Sequence, residues 1–234
     1  MDKKKPKRYQ QKRKLWYRNL KRVMKVRYKE PTFIYLGEKP TERSIILSNH
    51  VGTDAPLSLE IYADFPLRMW GTAEMNSGIV RLYKYQTKVY YHEKKHWNLH
   101  LARLFCLLAS PLTNMFYKGL RLISTYRDVR LKGTLEESLR IIKEDRDNIV
   151  IFPEKSEAGY FDELTGFHAG FVMFGELCYK NGIDLPIFVS YFNKKELNYI
   201  FSKPMRYSTL KAQFKDRQEI ADYLFQECNN LGKL

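Results

Sequence analysis

The apolar positions of this chain fall into short unbroken runs separated by segments of helical period. Ile45-Ile46-Leu47 and Ile149-Val150-Ile151 are runs of the kind that a strand buried on both faces requires. Strands are predicted at 32–36 and 44–47, around a turn at 37–40, and at 120–126, 148–152, 185–192 and 197–202. The intervening pattern predicts helices. One opens near Thr53 or Asp54 with Pro56 in its first turn, and another covers 99–117 with a kink at Pro111. A capping box, Thr134-Leu135-Glu136-Glu137, opens a third, and a fourth lies near 168–180. A closing helix starts at about Asp216 and carries Ile220, Leu224 and Cys228 at i, i+4 spacing. The stretch 83–97, rich in Tyr, Lys and His, fits neither period. Strands alternating with helices predict an α/β domain with a mainly parallel central sheet flanked by helices.

Charge changes the picture at one end. Of the net +15, residues 1–29 carry fourteen Lys and Arg against the single acid Asp2, whereas the rest holds twenty-seven bases and twenty-five acids. Trp16, Leu20, Val23, Met24 and Tyr28 follow near-helical spacing among Arg18, Lys21, Arg22, Lys25 and Arg27. Such a stripe predicts an N-terminal basic amphipathic helix lying in a headgroup plane, where each cation contributes roughly 1 kcal/mol. Residues 1–30 are therefore expected to form a basic arm whose partner is an anionic membrane surface, and 31–234 the folded domain. Two other readings of the arm stand: a stripe that packs on the body, and a polyanion-binding segment for nucleic acid, a partner not expected here.

No apolar run follows Met1-Asp2-Lys3, so no secretory signal is expected, and no run reaches the 18 or so apolar residues of a membrane span. The nearest, Leu101 to Leu112, is broken by Arg103 and reads as a buried helix or one dipping into a membrane surface. Cys106, Cys178 and Cys228 are widely spaced and odd in number, as expected of reduced intracellular thiols.

Candidate chemistry gathers where the apolar runs end. The first leads into Ser48-Asn49-His50-Val51-Gly52-Thr53-Asp54, and the second into Phe152-Pro153-Glu154-Lys155-Ser156. Polar residues at the carboxyl ends of parallel strands are how an open α/β sheet builds a site. A His four residues before an Asp can share one side of a helical first turn, the carboxylate fixing the tautomer while the free nitrogen takes a proton from a hydroxyl. Gly52 between them permits close backbone approach.

Four ordered blocks over about 44–204 resemble the glycerolipid acyltransferases of the 1-acylglycerol-3-phosphate acyltransferase family. They are Asn49-His50 with Asp54; the strand 120–127 ending in Arg127; Phe152-Pro153-Glu154-Lys155-Ser156 with a later Phe167-His168-Ala169-Gly170; and the apolar run around Pro186. The family usually has four residues between His and Asp where this chain has three, and glycine where Lys155 stands. The resemblance implies a peripheral enzyme on the cytoplasmic face that moves a fatty acyl chain from acyl-CoA or acyl carrier protein onto a lysophospholipid hydroxyl, lysophosphatidate above all, with no cofactor or metal. It implies His50 as base and Asp54 as its partner, with Asn49, Arg127, Glu154, Lys155, Ser156, Gly170 and Pro186 on the substrates. Two other functions remain open: a non-catalytic lipid- or nucleic-acid-binding protein, and a zinc hydrolase at His92-Glu93-Lys94-Lys95-His96, with His100 as a third ligand. The paired lysines beside a metal oppose the last.

Overall fold

A computed structural model describes residues 14–155 and 163–234. In chain order the elements are α1 (Leu15–Arg27), β1 (Thr32–Tyr35), β2 (Ile45–Ser48), α2 (Asp54–Tyr62), β3 (Leu67–Thr72), α3 (Ala73–Asn76), α4 (Ile79–Tyr85), a π-helix (Gln86–Lys94), α5 (Leu99–Leu120), β4 (Ile123–Thr125), α6 (Leu131–Glu144), β5 (Asn148–Ile151), α7 (Gly170–Lys180), β6 (Pro186–Asn193), β7 (Asn198–Phe201), β8 (Met205–Arg206), α8 (Tyr207–Gln213) and α9 (Arg217–Leu231). The strands join in one sheet ordered β1-β7-β6-β2-β5-β3-β4, with β8 on the start of β6. The five from β6 to β4 are parallel, and β7 turns back antiparallel on β6. The fold is thus α/β with a mostly parallel central sheet flanked by helices.

The strand runs that are wholly apolar are the central ones. Along β2 the side chains alternate between two packed faces, Ile45 and Leu47 joining one cluster and Ile46 the other. The first face is covered by α6, α7 and α9 through Ile142, Phe174 and Leu224; the second by α2 through Ala55 and Leu59. A parallel sheet with both faces covered needs this two-sided hydrophobicity.

Several sequence expectations shift. The strands β1 and β2 flank the turn at 37–40 but do not pair with each other: β1 lies on β7, and β2 sits between β5 and β6. Helix α6 begins at Leu131, three residues before the capping box, because the Thr134 hydroxyl donates to the Ser124 carbonyl at 2.7 Å and is drawn into the body. Strand β3 was not anticipated. Its alternation is interrupted by Arg68, whose buried guanidinium reaches Asp147 and Asp145, each at 3.0 Å. The stretch 83–97 completes α4 and then forms the π-helix, a winding that neither an α nor a β period reveals. Asp216 does cap α9, accepting from the Gln218 and Glu219 amides.

The chain runs through Pro111 as one helix of 22 residues, about 33 Å long. It is not a core helix: one flank is packed along its length and the other bears exposed leucines. Helix α1 docks on the body rather than standing clear. Tyr17 is fully buried, donates to Glu60 Oε1 at 3.1 Å and packs beside Phe116. Lys21 also reaches Glu60, at 3.4 Å. Tyr17 was absent from the apolar stripe read in the sequence, whereas Val23 of that stripe is exposed.

Gly119 on α5 is where α1 fits. A Cβ there would lie 1.9 Å from Tyr17 Cδ2, with ring and helix backbone both fixed. Gly119→Ala is therefore expected to expel the ring, lowering stability by about 1–3 kcal/mol in thermal unfolding and opening 14–28 to limited proteolysis.

Candidate active site

The parallel strands deliver their carboxyl ends to one edge of the sheet, and the site is built there from β2 and its two neighbours. At the end of β2 the Asn49 side chain is buried and clasps β6: its Oδ1 accepts from the Phe192 amide at 2.7 Å and its Nδ2 donates to the Phe192 carbonyl at 3.0 Å. One step back, Ser48 Oγ and the Tyr199 hydroxyl lie 2.6 Å apart. On the other flank, the His50 backbone amide donates to Glu154 Oε2 at 2.8 Å, tying the end of β2 to the end of β5. Two side chains thus close the gaps where the ladder of backbone bonds runs out.

Beyond His50 the chain turns sharply. Val51 and Gly52 both take left-handed conformations, at φ 43° and 65°, before α2 begins at Asp54. A β-branched residue in that region costs about 1–3 kcal/mol and persists only where its surroundings hold it. His50 consequently stands before the helix, not on it, so the shared helical turn expected of His50 and Asp54 does not form. The left-handed pair lifts the imidazole out of the path of α2. The ring is half-buried, with Phe152 beside it at 5.1 Å between centroids.

Asp54 faces a partner that sequence reading missed. Lys194, just past the end of β6, reaches the Asp54 carboxylate at 2.7 Å. Lys155 follows the end of β5, so in the strand order β6-β2-β5 the strand that leads to His50 lies between the strands that lead to the two lysines. The Lys155 stem passes over Gly166, where a Cβ would meet its Cδ at 3.3 Å. The Lys155 amide donates to the Gly166 carbonyl at 2.9 Å, and the His168 amide to the Pro153 carbonyl at 2.8 Å. These bonds and the bridge between Glu154 and Phe167 hold the outgoing and returning arms of the loop together. Ser156 and Glu157 lie outside the described residues. Gly170, the start of α7, follows the returning arm.

Arg127 follows β4 on the same edge, but three strand spacings from β2, or about 14 Å. Tyrosines occupy the interval. Burial, the Glu74 carboxylate and Tyr90 raise the Tyr85 phenol, while Arg127 opposes them; burial and the Asp54 carboxylate raise Tyr90. Tyr85, from α4, is thus within electrostatic range of Arg127 and Tyr90, and Tyr90, from the π-helix, within that of Asp54. Neither was singled out in the sequence, because only the π-helical winding of 86–94 places them there. Pro186 is not part of this site. It begins β6, level with the residue before Ile45, and so lies about 20 Å from His50 at the opposite edge of the sheet.

The His92/His96 pattern is not wound as the α-helix that the zinc reading needs. The π-helix ends at Lys94, and His96 beyond it takes a left-handed φ of 55°, so the two rings do not share one face of an α-helix. His92 Nδ1 is 2.9 Å from the Trp97 carbonyl oxygen. Among the described residues no group of three His, Cys, Asp or Glu is placed to hold a metal ion.

Electrostatically, Glu154 is the unusual group. Burial pushes its carboxyl up to about 7, against the opposing hydrogen bond from the His50 amide. The folded chain thus keeps a proton on Glu154 through a range where the unfolded chain, at about 4.5, has lost it. No protein-family model matches this chain, and no curated protein does.

A raised carboxyl pKa means that the native state binds the extra proton, so stability falls as pH rises from about 4.5 to about 7 and then levels off. The fall attributable to Glu154 is about 3 kcal/mol at most. Glu154→Gln is expected to remove it: the difference in unfolding free energy between wild type and variant should move in the variant's favour across pH 5 to 7.5. A constant difference across that range would place the carboxyl in water rather than in the wall of the site.

Proposed function

We propose that this chain is a peripheral membrane acyltransferase that moves a fatty acyl group from a thioester, acyl-CoA or acyl carrier protein, to the free hydroxyl of a lysophospholipid, most simply lysophosphatidate. The observation that carries the reading is His50, held by its own amide to Glu154 at the end of the central strand, with Lys155 following the neighbouring strand on one side and Lys194 the neighbouring strand on the other. A histidine on a sheet edge that also carries lysines suits a substrate that pairs a reacting hydroxyl with a nearby phosphate.

In this reading His50 removes the proton of the acceptor hydroxyl as its oxygen attacks the thioester carbonyl. The tetrahedral intermediate then collapses, the carbon–sulfur bond breaks, and the imidazolium returns its proton to the departing thiolate. The products are an ester and a free thiol. Asp54, four residues on at the start of α2 and paired with Lys194, is the carboxylate that this reading assigns to the imidazolium. Asn49 acts through position, fixing the end of β2 by its two bonds to Phe192, and Glu154 does the same through the His50 amide. Lys155 and Ser156 meet the acceptor phosphate; Arg127, farther along the edge, meets a second anionic group such as the donor's phosphates. The basic residues of 1–30 favour an anionic bilayer as the place where the acceptor is met.

The test is thiol release from long-chain acyl-CoA, and from acyl carrier protein, with and without a panel of lysophospholipids. Acceptor-dependent release is expected, reduced about 10²–10⁴-fold in His50→Ala. Lys155→Ala is expected to raise KM for a phosphate-bearing acceptor about tenfold with little change in kcat, since a point-charge contact made equally in ground and transition states acts on binding alone. Thiol release indifferent to acceptor and to His50, with both donors, would end the acyl-transfer reading and leave a lipid-binding protein.

A further inference from the structure

Helix α5 is long and apolar enough to cross a membrane by length and composition. Its packing says otherwise. Ala102, Cys106 and Ser110, at i, i+4, i+8, are buried on one flank, and Ser110 Oγ donates to Gln86 Oε1 of the π-helix at 2.9 Å. A helix fastened along its side to α4 and the π-helix would carry Arg81, Lys84 and Lys88 into the bilayer if it crossed, which opposes a span. The opposite flank carries Leu101, Leu104, Leu107, Leu108 and Leu112, each between 61% and 77% exposed, with Phe105 at 43%. Trp97, 41% exposed, extends this face at its start, where it packs tilted against Tyr91 and edge-on against Phe105. Contiguous apolar surface of this kind marks an interaction site.

Charge identifies the partner. Residues 78–118 contain seven Lys and Arg and one acid, Glu93, and α5 itself has no acidic residue. Arg81, Lys84, Lys88, Lys95, Arg103 and Lys118 are exposed around the apolar face. The far end of that face meets α1, the other basic segment, through Tyr17 at Gly119. Outside 1–29 and 78–118 the chain has twenty bases against twenty-four acids, so the two cation-rich segments that adjoin each other are set on a body of the opposite sign. An apolar ridge rimmed by cations, with its inner flank docked, fits the headgroup–acyl boundary of an anionic bilayer.

We propose that α5 lies in the plane of an anionic membrane with its leucine face inserted into one leaflet, so that the chain is anchored by insertion and not by surface charge alone. This deepens the acyl-transfer reading and rests on it for the route that follows, though not for the docking. From the inserted face, Trp97 and Phe105 touch Tyr91, which touches Tyr90, which lies within electrostatic range of Asp54. A lipid entering from the leaflet would reach His50 along this aromatic wall without leaving the surface.

The experiment is flotation of the full chain with vesicles of phosphatidylcholine alone or with phosphatidylglycerol, in low salt and in 1 M salt, beside Leu104→Ser/Leu108→Ser and His50→Ala. Both substitutions of the double variant are on exposed positions, and circular dichroism and thermal unfolding check that it folds. Wild type is expected to bind the anionic vesicles and to keep part of that binding in 1 M salt. The double variant is expected to bind at least about tenfold more weakly and to lose the salt-resistant part, while His50→Ala binds as wild type does. Lipids brominated in the upper acyl chain should quench the fluorescence of wild type more than that of Trp97→Phe. Binding abolished by salt and indifferent to the leucines would overturn the proposal in favour of charge alone. So would a stable dimer without vesicles that the double variant dissociates, since a second copy of the chain would then cover the face. Neither result depends on whether thiol is released.

Discussion

Everything at the candidate site depends on β2 being pinned on both sides at the point where it stops being a strand. A backbone that leaves a parallel sheet loses its ladder of hydrogen bonds, and the last polar groups must be satisfied in another way. Here Asn49 satisfies the β6 side with two bonds to Phe192, and Glu154 satisfies the β5 side by accepting from the His50 amide. Removing either would loosen the position from which the imidazole is presented. The strain at Val51 is tolerable only because these two attachments hold the residues before it.

That arrangement makes Glu154 a carboxyl with two properties in conflict. Burial favours its protonated form, while the amide it serves is a better donor to the ionised form. Near neutrality the two forms are balanced. The attachment of β2 to β5 is therefore electrically soft near neutral pH.

The sheet was legible because its central strands are buried on both faces and carry unbroken apolar runs; Ile45-Ile46-Leu47 and Ile149-Val150-Ile151 admit few other readings. The end of α9 was legible because Asp216 caps by a local bond. What escaped has a physical reason in each case. Strand β3 holds an arginine where an apolar residue belongs, and the acids that bond it lie nearly eighty residues away. Helix α6 starts early because a hydroxyl that looks like a cap bonds elsewhere. Of the site, His50, Asp54 and Glu154 could be marked from the ends of the runs. Lys194 could not, since it meets Asp54 across 140 positions of chain, as the numbering of the pair states. The left-handed turn at Val51 leaves no compositional trace, because a valine there signals a strand. The outward face of α5 was equally hidden: the same leucines read as core or as surface until their neighbours are known.

The segregation of charge has one more consequence. The cations are gathered on 1–29 and 78–118, and the remainder of the chain carries four more acids than bases, so charge is segregated along the sequence. An anionic surface exerts a torque on such a body within a Debye length, about 8 Å at physiological ionic strength. On the membrane docking proposed above, such a torque would favour approach by the side on which α1 and α5 adjoin, so that charge would orient the chain before its leucines made contact.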